Sequence, residues 1–380
     1  MFKKKPRSGA FFYMRVVHIG KYYWPYQRGI ETYLKTLAEG LTPRCDLTVI
    51  VSNEGRETVE ETINGVRVIR LKRAFKLAGT DFLFSLPGLL KELKPDIVHV
   101  HLPNPWAETA WKLAGRPGRL FVSFHSDIIR QKFLLKIYAP FHRTFLKQAE
   151  KIIVATPKHI EYSPFLSQLP KEKMAVVHYG LKKEEYASPS EKLIEEFKGK
   201  YSPYVFSVGQ LVYYKGFDVL IKALAETQEL NLLIAGVGPL METLKKQAAE
   251  LGLAKRVVFL GHIPQEELLA AYHGCEFFVL PSTVRSEAFG LVQLEAFLAG
   301  KAVVSTDLKS GVPYVNQDGV TGIVVPPGDV KALSGAMRSL HGDPELRSVL
   351  GAAGYQRALQ DFSAEDMVEK TYRLYKGEQI

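Results

Sequence analysis

The stretch CEFFVLPSTVRSEAFGLVQLEAFLAGKAVVST (275–306) decides the reading of the fold. Its first eight residues form a short apolar run, long enough for a buried strand. A loop follows, and LVQLEAFLAG then places apolar residues at helical spacing. KAVVST is a second apolar run. This is one strand–loop–helix–strand unit, the building block of a parallel sheet. Glu287 stands just before the expected helix start at Phe289-Gly290, and Glu295 falls about one and a half turns inside it.

The same alternation extends to both sides of this unit. RVVHIG (15–20), DLTVIVS (46–52), DIVHVH (96–101), RLFVSFH (119–125) and KIIVAT (151–156) read as buried strands, with helical stretches such as ETYLKTLAEGL (31–41) between them. A second series follows: YVFSVG (204–209), LNLLIAG (230–236), RVVFLG (256–261), CEFFVLPS (275–282) and KAVVST (301–306), with helices expected at 216–226, 239–251, 265–273 and 290–299. The pattern predicts an α/β chain of two doubly wound parallel-sheet domains, spanning 14–185 and 200–358. A polar stretch near 181–203 reads as the linker, and SAEDMVEKTYRLYKGEQ as a last helix capped by Ser363. Ligands of such sheets sit beyond the carboxyl ends of the strands, so two facing domains would line a cleft between them.

Composition excludes several classes. The 380 residues hold two cysteines, Cys45 and Cys275, one in each half, which suggests neither a disulfide framework nor a zinc site. No apolar run reaches the ~18 residues that a membrane-spanning helix needs, and the start MFKKKPRSGAFFYM lacks the apolar core of a signal peptide. With its cysteines unpaired, the chain is expected in a reducing cytoplasm. Residues 1–13 read as a disordered extension, with Met14 as an alternative start. Charge is uneven: residues 1–200 hold 34 Lys and Arg against 20 Asp and Glu, and residues 201–380 hold 16 against 20. The N-terminal half is therefore the one suited to an anionic surface, whether nucleic acid, membrane or phosphorylated lipid.

The chemistry centres on Glu287 to Glu295. A helix start offers unpartnered N–H groups and partial positive charge, which suit a phosphate or diphosphate. Gly290 would let such a ligand approach the backbone. A diphosphate there would place a sugar on the side of Glu287 and a ribose on the side of Glu295, and carboxylates accept hydrogen bonds from vicinal hydroxyls. Any two glutamates might instead be solvated surface groups. Glu295, however, lies in an otherwise apolar helix, where an acid requires a partner.

SEAFGLVQLEAFLAGKAVV resembles the donor-site motif of retaining glycosyltransferases of family 4, which have the GT-B fold of two facing Rossmann-like domains. The resemblance covers nearly the whole chain from residue 14. It includes PYQRGIETYLKTLAEGL, VGQLVYYKGFDVLIKAL (208–224), LLIAGVGPL (232–240), VVFLGHIPQEEL (257–268) and DGVTGIVVPPGD (318–329). It implies that Glu287 binds hydroxyls of the donor sugar and Glu295 the ribose. The amides of Phe289, Gly290 and Leu291 would hold the diphosphate, and Lys215 would neutralise it. Ile263 would line the base pocket, Gly29 would bring the N-terminal backbone against the donor, and His125 would face the reacting sugar. It also implies that the helix 363–378 crosses back onto the N-terminal domain.

Two positions depart from the family pattern. Arg28-Gly29 stands where Gly-Gly is usual, and Gln210 where Arg is usual. The missing cation would weaken leaving-group stabilisation; the expectation is that Arg28 partly replaces it, the rivals being a weaker enzyme or an acceptor with its own contacts to Arg28. No D-x-D sequence occurs, so the expectation is catalysis without a metal or any cofactor beyond the nucleotide-sugar substrate. The likeness of HSDIIRQK to O-antigen mannosyltransferases favours GDP-mannose, with UDP-sugars still open. The acceptor would be a glycan or lipid-linked glycan. Residues 130–151, RQKFLLKIYAPFHRTFLKQAEK, interleave basic and apolar side chains in two short amphipathic helices broken near Pro140. They suit attachment to the inner face of an anionic membrane, although a core-facing helix with a solvated basic side has the same pattern. A nucleotide-sugar epimerase of this fold and a basic nucleic-acid-binding protein are the alternatives. The latter would have no use for Glu287, Glu295 and Lys215, so no nucleic-acid partner is expected.

Overall fold

The computed structural model describes residues 14–26, 28–127, 132–227 and 229–380, with side chains of the 132–148 helix described from Ile137 onward. The expectations for residues 1–13, and for the side chains of Arg130, Lys132, Phe133, Leu134 and Lys136, lie outside the described residues.

The chain divides into two compact units. The first comprises the described parts of Met1–Ser123 and Gln131–Ile152 together with Leu374–Gln379; the second comprises Phe124–Arg130, in its described part, and Ile153–Arg373.

In the first unit the strands lie in the order Lys151–Val154, Arg119–Phe124, Ile97–Leu102, Arg15–Ile19, Asp46–Asn53, Val66–Lys72, Val59–Ile63. Arg15–Ile19 pairs in parallel with both neighbours, Val16 opposite Leu47 on one side and Ile97 on the other. All of the central strand Ile97–Leu102 is buried, as expected of a strand covered on both faces. The edge is an antiparallel hairpin. Ile63 faces Val66 across Asn64-Gly65, and both turn residues have positive φ, 48° and 84°. That is the two-residue turn whose twist matches flanking strands. A second hairpin, Phe75–Leu77 with Thr80–Phe82, turns on Ala78-Gly79 in the same way. Neither was expected from the alternation of apolar runs.

In the second unit a six-stranded, wholly parallel sheet has the order Val257–Gly261, Asn231–Ala235, Tyr204–Val208, Phe278–Leu280, Val303–Thr306, Gly322–Val325. Its core joins Leu220, Ile221 and Leu224 of the helix Phe217–Ala225 to Leu232 and Ile234 of a strand, and to Leu333, Met337 and Leu340 of the helix Val330–Gly342. Each such side chain contributes about 1.5–3 kcal/mol when fully buried, and this apolar stripe is what holds the helix–strand alternation together.

Ten expected strands are present, within a few residues of their expected bounds. Two elements differ. The polar linker contains a helix, Glu191–Tyr201, whose Ser190 hydroxyl accepts the Leu193 N–H. The 130–151 segment holds one helix, Lys132–Gln148, with Pro140 inside it rather than between two. The last helix runs Ala364–Tyr375, and the Ser363 hydroxyl accepts the Asp366 N–H at 3.1 Å, as the capping pattern predicts.

Candidate functional site

The six-stranded sheet has one switch point. From Tyr204–Val208 the chain winds outward through the next two strands in one direction; it then returns beside its start as Phe278–Leu280 and winds the other way. In open parallel sheets ligands bind at such a point, beyond the carboxyl ends of the two strands. Of the loops that leave these strands, one carries Gly209 to Gly216 and the other Pro281 to Leu291.

The first loop closes with a 3-10 turn, Tyr213–Lys215, and Gly216 at φ +70°. A Cβ at Gly216 would lie 2.0 Å from the Pro281 carbonyl oxygen, so only glycine lets the two loops meet. The Thr283 N–H donates to the Tyr214 carbonyl at 2.8 Å. Lys215 is thereby fixed against the second loop. Its Nζ lies 2.5 Å from Glu287 Oε2, with side chains only 12% and 11% exposed, and Ser282 Oγ donates to the same oxygen at 3.1 Å. Burial works against the ammonium, but the adjoining Glu287 carboxylate outweighs it and holds the Lys215 pKa above the ordinary lysine value.

Glu295 lies on the helix Val292–Leu298, where Tyr272 donates its hydroxyl to Oε2 at 2.9 Å. Withdrawal from water pushes Glu295 up to about 7, against the pull of Tyr272 and the Lys215 charge. Lys215, Ser282, Glu287, Tyr272 and Glu295 are thus one electrostatic group. Residues 289–291 form the turn before this helix, which starts two residues later than its sequence suggests. Gly290 is at φ +74°, and a Cβ there would lie 2.6 Å from Leu280 Cδ2. Phe289, Gly290 and Leu291 are all buried. Exposed Gln210 follows Tyr204–Val208, and half-buried Ile263 follows Val257–Gly261, both at carboxyl ends of the same sheet.

His125 follows Arg119–Phe124 at its carboxyl end. It is buried, and its Nδ1 is hydrogen-bonded to the Tyr179 hydroxyl. The Tyr179 ring lies 4.6 Å from that of Phe289, so one side chain separates His125 from the turn after Glu287. Beside it is a small, open pocket lined in part by Ser126, Asp127, His159, Arg285, Ala288 and Lys309. Arg285 donates to Asp127 Oδ2 at 3.2 Å and to the Tyr162 carbonyl at 3.0 Å. Sequence reasoning did not select Tyr179, Tyr272, Asp127 or Arg285. Only the last two carry a signal, each lying two residues from a selected residue.

In the first unit, Arg28 is the extended residue before the helix Gly29–Leu41, and both it and Gly29 are exposed. A Cβ at Gly29 would meet nothing within 4 Å. Space above Gly29 is therefore open to a ligand. The only cluster of three metal-ligating side chains found among the described residues is His18, His99 and His101, all buried. Their nitrogens are already engaged: His18 Nε2 and His99 Nδ1 with the Tyr375 hydroxyl at 2.9 and 2.5 Å, His99 Nε2 with Ser123 Oγ at 2.8 Å, and His101 Nε2 with His18 Nδ1 at 3.1 Å. The cluster is a hydrogen-bond network that secures Tyr375.

Residues 190–357 match the family model "Glycosyl transferases group 1", and residues 27–185 match "Glycosyltransferase Family 4". The O-antigen chain mannosyltransferase C of Escherichia coli is 31% identical over 366 residues, covering 95% of this chain and 98% of its own. The D-rhamnosyltransferase WbpZ of Pseudomonas aeruginosa is 36% identical over 356 residues, covering 92% and 93%. A GDP-mannose-dependent phosphatidylinositol monomannoside mannosyltransferase of Mycolicibacterium smegmatis is 30% identical over 374 residues, covering 93% and 96%. Among solved structures, sucrose-phosphate synthase from Thermosynechococcus elongatus superposes with a TM-score of 0.82 at 20% identity, covering 96% of this chain and 98% of that one. Anabaena HepE in complex with UDP and glucose superposes with a TM-score of 0.80 at 19% identity, covering 96% and 99%.

Proposed function

The chain belongs to glycosyltransferase family 4, the group 1 glycosyltransferases of GT-B fold, and from that premise we propose that it moves a hexose from a nucleotide-diphosphate sugar to a glycan or lipid-linked acceptor, with retention of anomeric configuration and without a metal. Mannose from GDP-mannose is the favoured donor; two similar enzymes are named mannosyltransferases, one of them GDP-mannose-dependent.

The observation that carries the reading is the Lys215–Glu287 pair at the switch point, with Glu295 beside it. A buried ion pair stabilises little by itself, and breaking it without replacement is costly. A donor offers replacements for both partners. Its diphosphate takes over the ammonium, and its sugar hydroxyls take over the carboxylate. The amides of Phe289, Gly290 and Leu291 hold the other phosphate oxygens, Glu295 accepts the ribose hydroxyls, and Ile263 lines the base. As the glycosidic bond breaks, negative charge grows on the leaving diphosphate, where Lys215 and the turn's amides are already oriented and no solvent has to reorganise. The acceptor hydroxyl attacks from the face the diphosphate leaves. Glu287 positions the sugar and forms no bond to it, while His125 and Gly29 complete the surroundings of the reacting carbon.

Gln210 leaves the leaving group one cation short of the family pattern, and on this reading Arg28 partly replaces it. The acceptor half is the basic N-terminal one, with residues 130–151 meeting the inner face of an anionic membrane; among the described residues no helix is long and apolar enough to cross a membrane. The test is a screen of nucleotide sugars for hydrolysis and thermal stabilisation, with EDTA and with Mg²⁺. GDP-mannose should give the largest response, EDTA should leave the rate unchanged, and Arg28→Ala should lower turnover at least ~30-fold, the worth of ~2 kcal/mol. No response to any nucleotide sugar would sink the reading.

A further inference from the structure

The hairpin Phe75–Leu77 with Thr80–Phe82 leaves apolar side chains exposed. Its register sets Phe75 opposite Phe82 and Leu77 opposite Thr80, with Lys76 opposite Asp81 on the other face. In a soluble protein the apolar face of such a hairpin turns inward. Here only Asp81 of the charged pair is buried, and Lys76 is exposed. Asp81 is buried and accepts from Arg73 at 3.2 Å, while Lys76 Nζ reaches the Tyr22 hydroxyl at 3.4 Å. The apolar face is left outside, with Phe75 46%, Leu77 63% and the following Phe84 62% exposed. The aromatic rings form one patch: Phe75 stacks on Phe82 at 4.4 Å, and Phe82 and Phe84 lie 5.0 and 5.6 Å from Trp106.

The patch is fixed in place. Trp106 Nε1 donates to the Leu83 carbonyl at 2.8 Å, the Ala74 N–H donates to the Phe82 carbonyl at 2.9 Å, and Lys21 Nζ donates to the Gly79 carbonyl at 2.8 Å. The segment that carries it is rich in cations. Between Arg70 and Lys91 the chain holds Arg70, Lys72, Arg73, Lys76 and Lys91, and its one acid is the buried Asp81. The helix carrying Trp106, Pro105–Leu113, leads from this patch to the helix Lys132–Gln148; Lys112 Nζ lies 5.3 Å from the Phe141 ring, and Leu113 and Ile137 are exposed.

We propose that this hairpin seats the protein on an anionic lipid bilayer, with Phe75, Leu77 and Phe84 entering the headgroup–acyl boundary and the surrounding lysines and arginines on the lipid phosphates. The inference rests on the membrane part of the function proposed above, and it moves the principal contact from the 130–151 helix to a segment outside it. A bilayer is the partner that offers both a layer for apolar side chains and diffuse negative charge for the exposed Lys72, Lys76 and Lys91. A second copy of this chain would bring like charge to like charge.

The experiment is flotation of the full chain with phosphatidylglycerol vesicles and with phosphatidylcholine vesicles, at low and high salt. The wild-type protein should float with the first, less so as salt rises, and not with the second. Leu77→Asp with Phe84→Asp should lower partitioning at least ~100-fold, about tenfold for each side chain, and leave nucleotide-sugar hydrolysis unchanged. Arg143→Glu with Lys147→Glu should lower it far less. Both native cysteines are buried, so Leu77→Cys takes a polarity-sensitive label at the tip alone, and that label should blue-shift on phosphatidylglycerol vesicles. Undiminished flotation of the double variant, equal binding to phosphatidylcholine, or a dimer of the wild type that the variant splits would each overturn the proposal. Because hydrolysis is read separately, a protein that floats but turns over no nucleotide sugar would sink the transferase reading and leave this one standing.

Discussion

Lys215 and Glu287 are the residues whose loss should be most informative, because each is withdrawn from water and each depends on the other. Lys215→Ala removes the cation and leaves Glu287 with only the Ser282 hydroxyl. An unpaired buried charge costs about 3–5 kcal/mol, so this variant should lose stability as well as activity. Lys215→Ala with Glu287→Gln should recover much of the stability and none of the activity, since a neutral amide needs no counter-charge. Urea unfolding measures the first effect and turnover of the best donor the second. Equal instability of the single and double variants would mean that the pair is not electrostatically coupled in solution. The residue scale is also where the sequence said least. Glu287 and Lys215 lie far apart in the chain, and nothing in composition or spacing brings them together. Tyr179 and Tyr272 carry no motif, and become visible only when strands and helices align them on His125 and Glu295.

At the scale of elements the sequence was far more legible, for a physical reason. A strand buried on both faces must be apolar throughout, so each parallel strand appears as an unbroken run, and ten such runs became ten strands. Elements that do not obey that rule were missed. The hairpin 59–72 alternates, and the hairpin 75–82 turns on Ala78-Gly79, whose alanine rarely takes positive φ. The helix Glu191–Tyr201 is mostly polar and was read as linker, although its Ser190 cap was in plain view. The loops that end the central strands depend on two glycines for opposite reasons. Gly216 is at positive φ and meets the Pro281 carbonyl, whereas Gly29 has ordinary backbone geometry and open space above it. Gly216→Ala should therefore cost about 2–4 kcal/mol in unfolding free energy and displace Lys215. Gly29→Ala should leave the melting temperature unchanged or raise it, and weaken only donor binding. Thermal melts with and without nucleoside diphosphate separate these outcomes; a destabilised Gly29→Ala would show that the open space is filled in solution.

At the scale of the molecule, the first unit is completed by the end of the chain. Leu374–Gln379 belong to it, and Tyr375 is fully buried against His18 and His99, the latter 276 residues earlier. Burial presses His18 down to about 3 and His101 well below its ordinary value, with the His18 charge adding to the effect on His101. His18 and His101 are therefore neutral at pH 7, each with one donor and one acceptor nitrogen. The Tyr375 hydroxyl can donate to one ring only while accepting from the other, so the tautomers of His18 and His99 are set together, and His101 and Ser123 must follow. Tyr375→Phe removes both bonds at once and strands two buried nitrogens, each at about 1–3 kcal/mol. Unfolding at pH 8 should show that loss. The pH dependence has a definite sign. A histidine held at about 3 when folded and near 6.5 when unfolded takes up protons preferentially on unfolding, so its stabilising share is complete above about 6.5 and disappears as pH falls toward 3. Wild-type stability should fall across that window, and a His18→Asn variant, less stable at pH 8, should fall less steeply. A variant with an undiminished slope would mean that His18 titrates in the folded protein, which would require water to reach a network that the packing of Tyr375 closes.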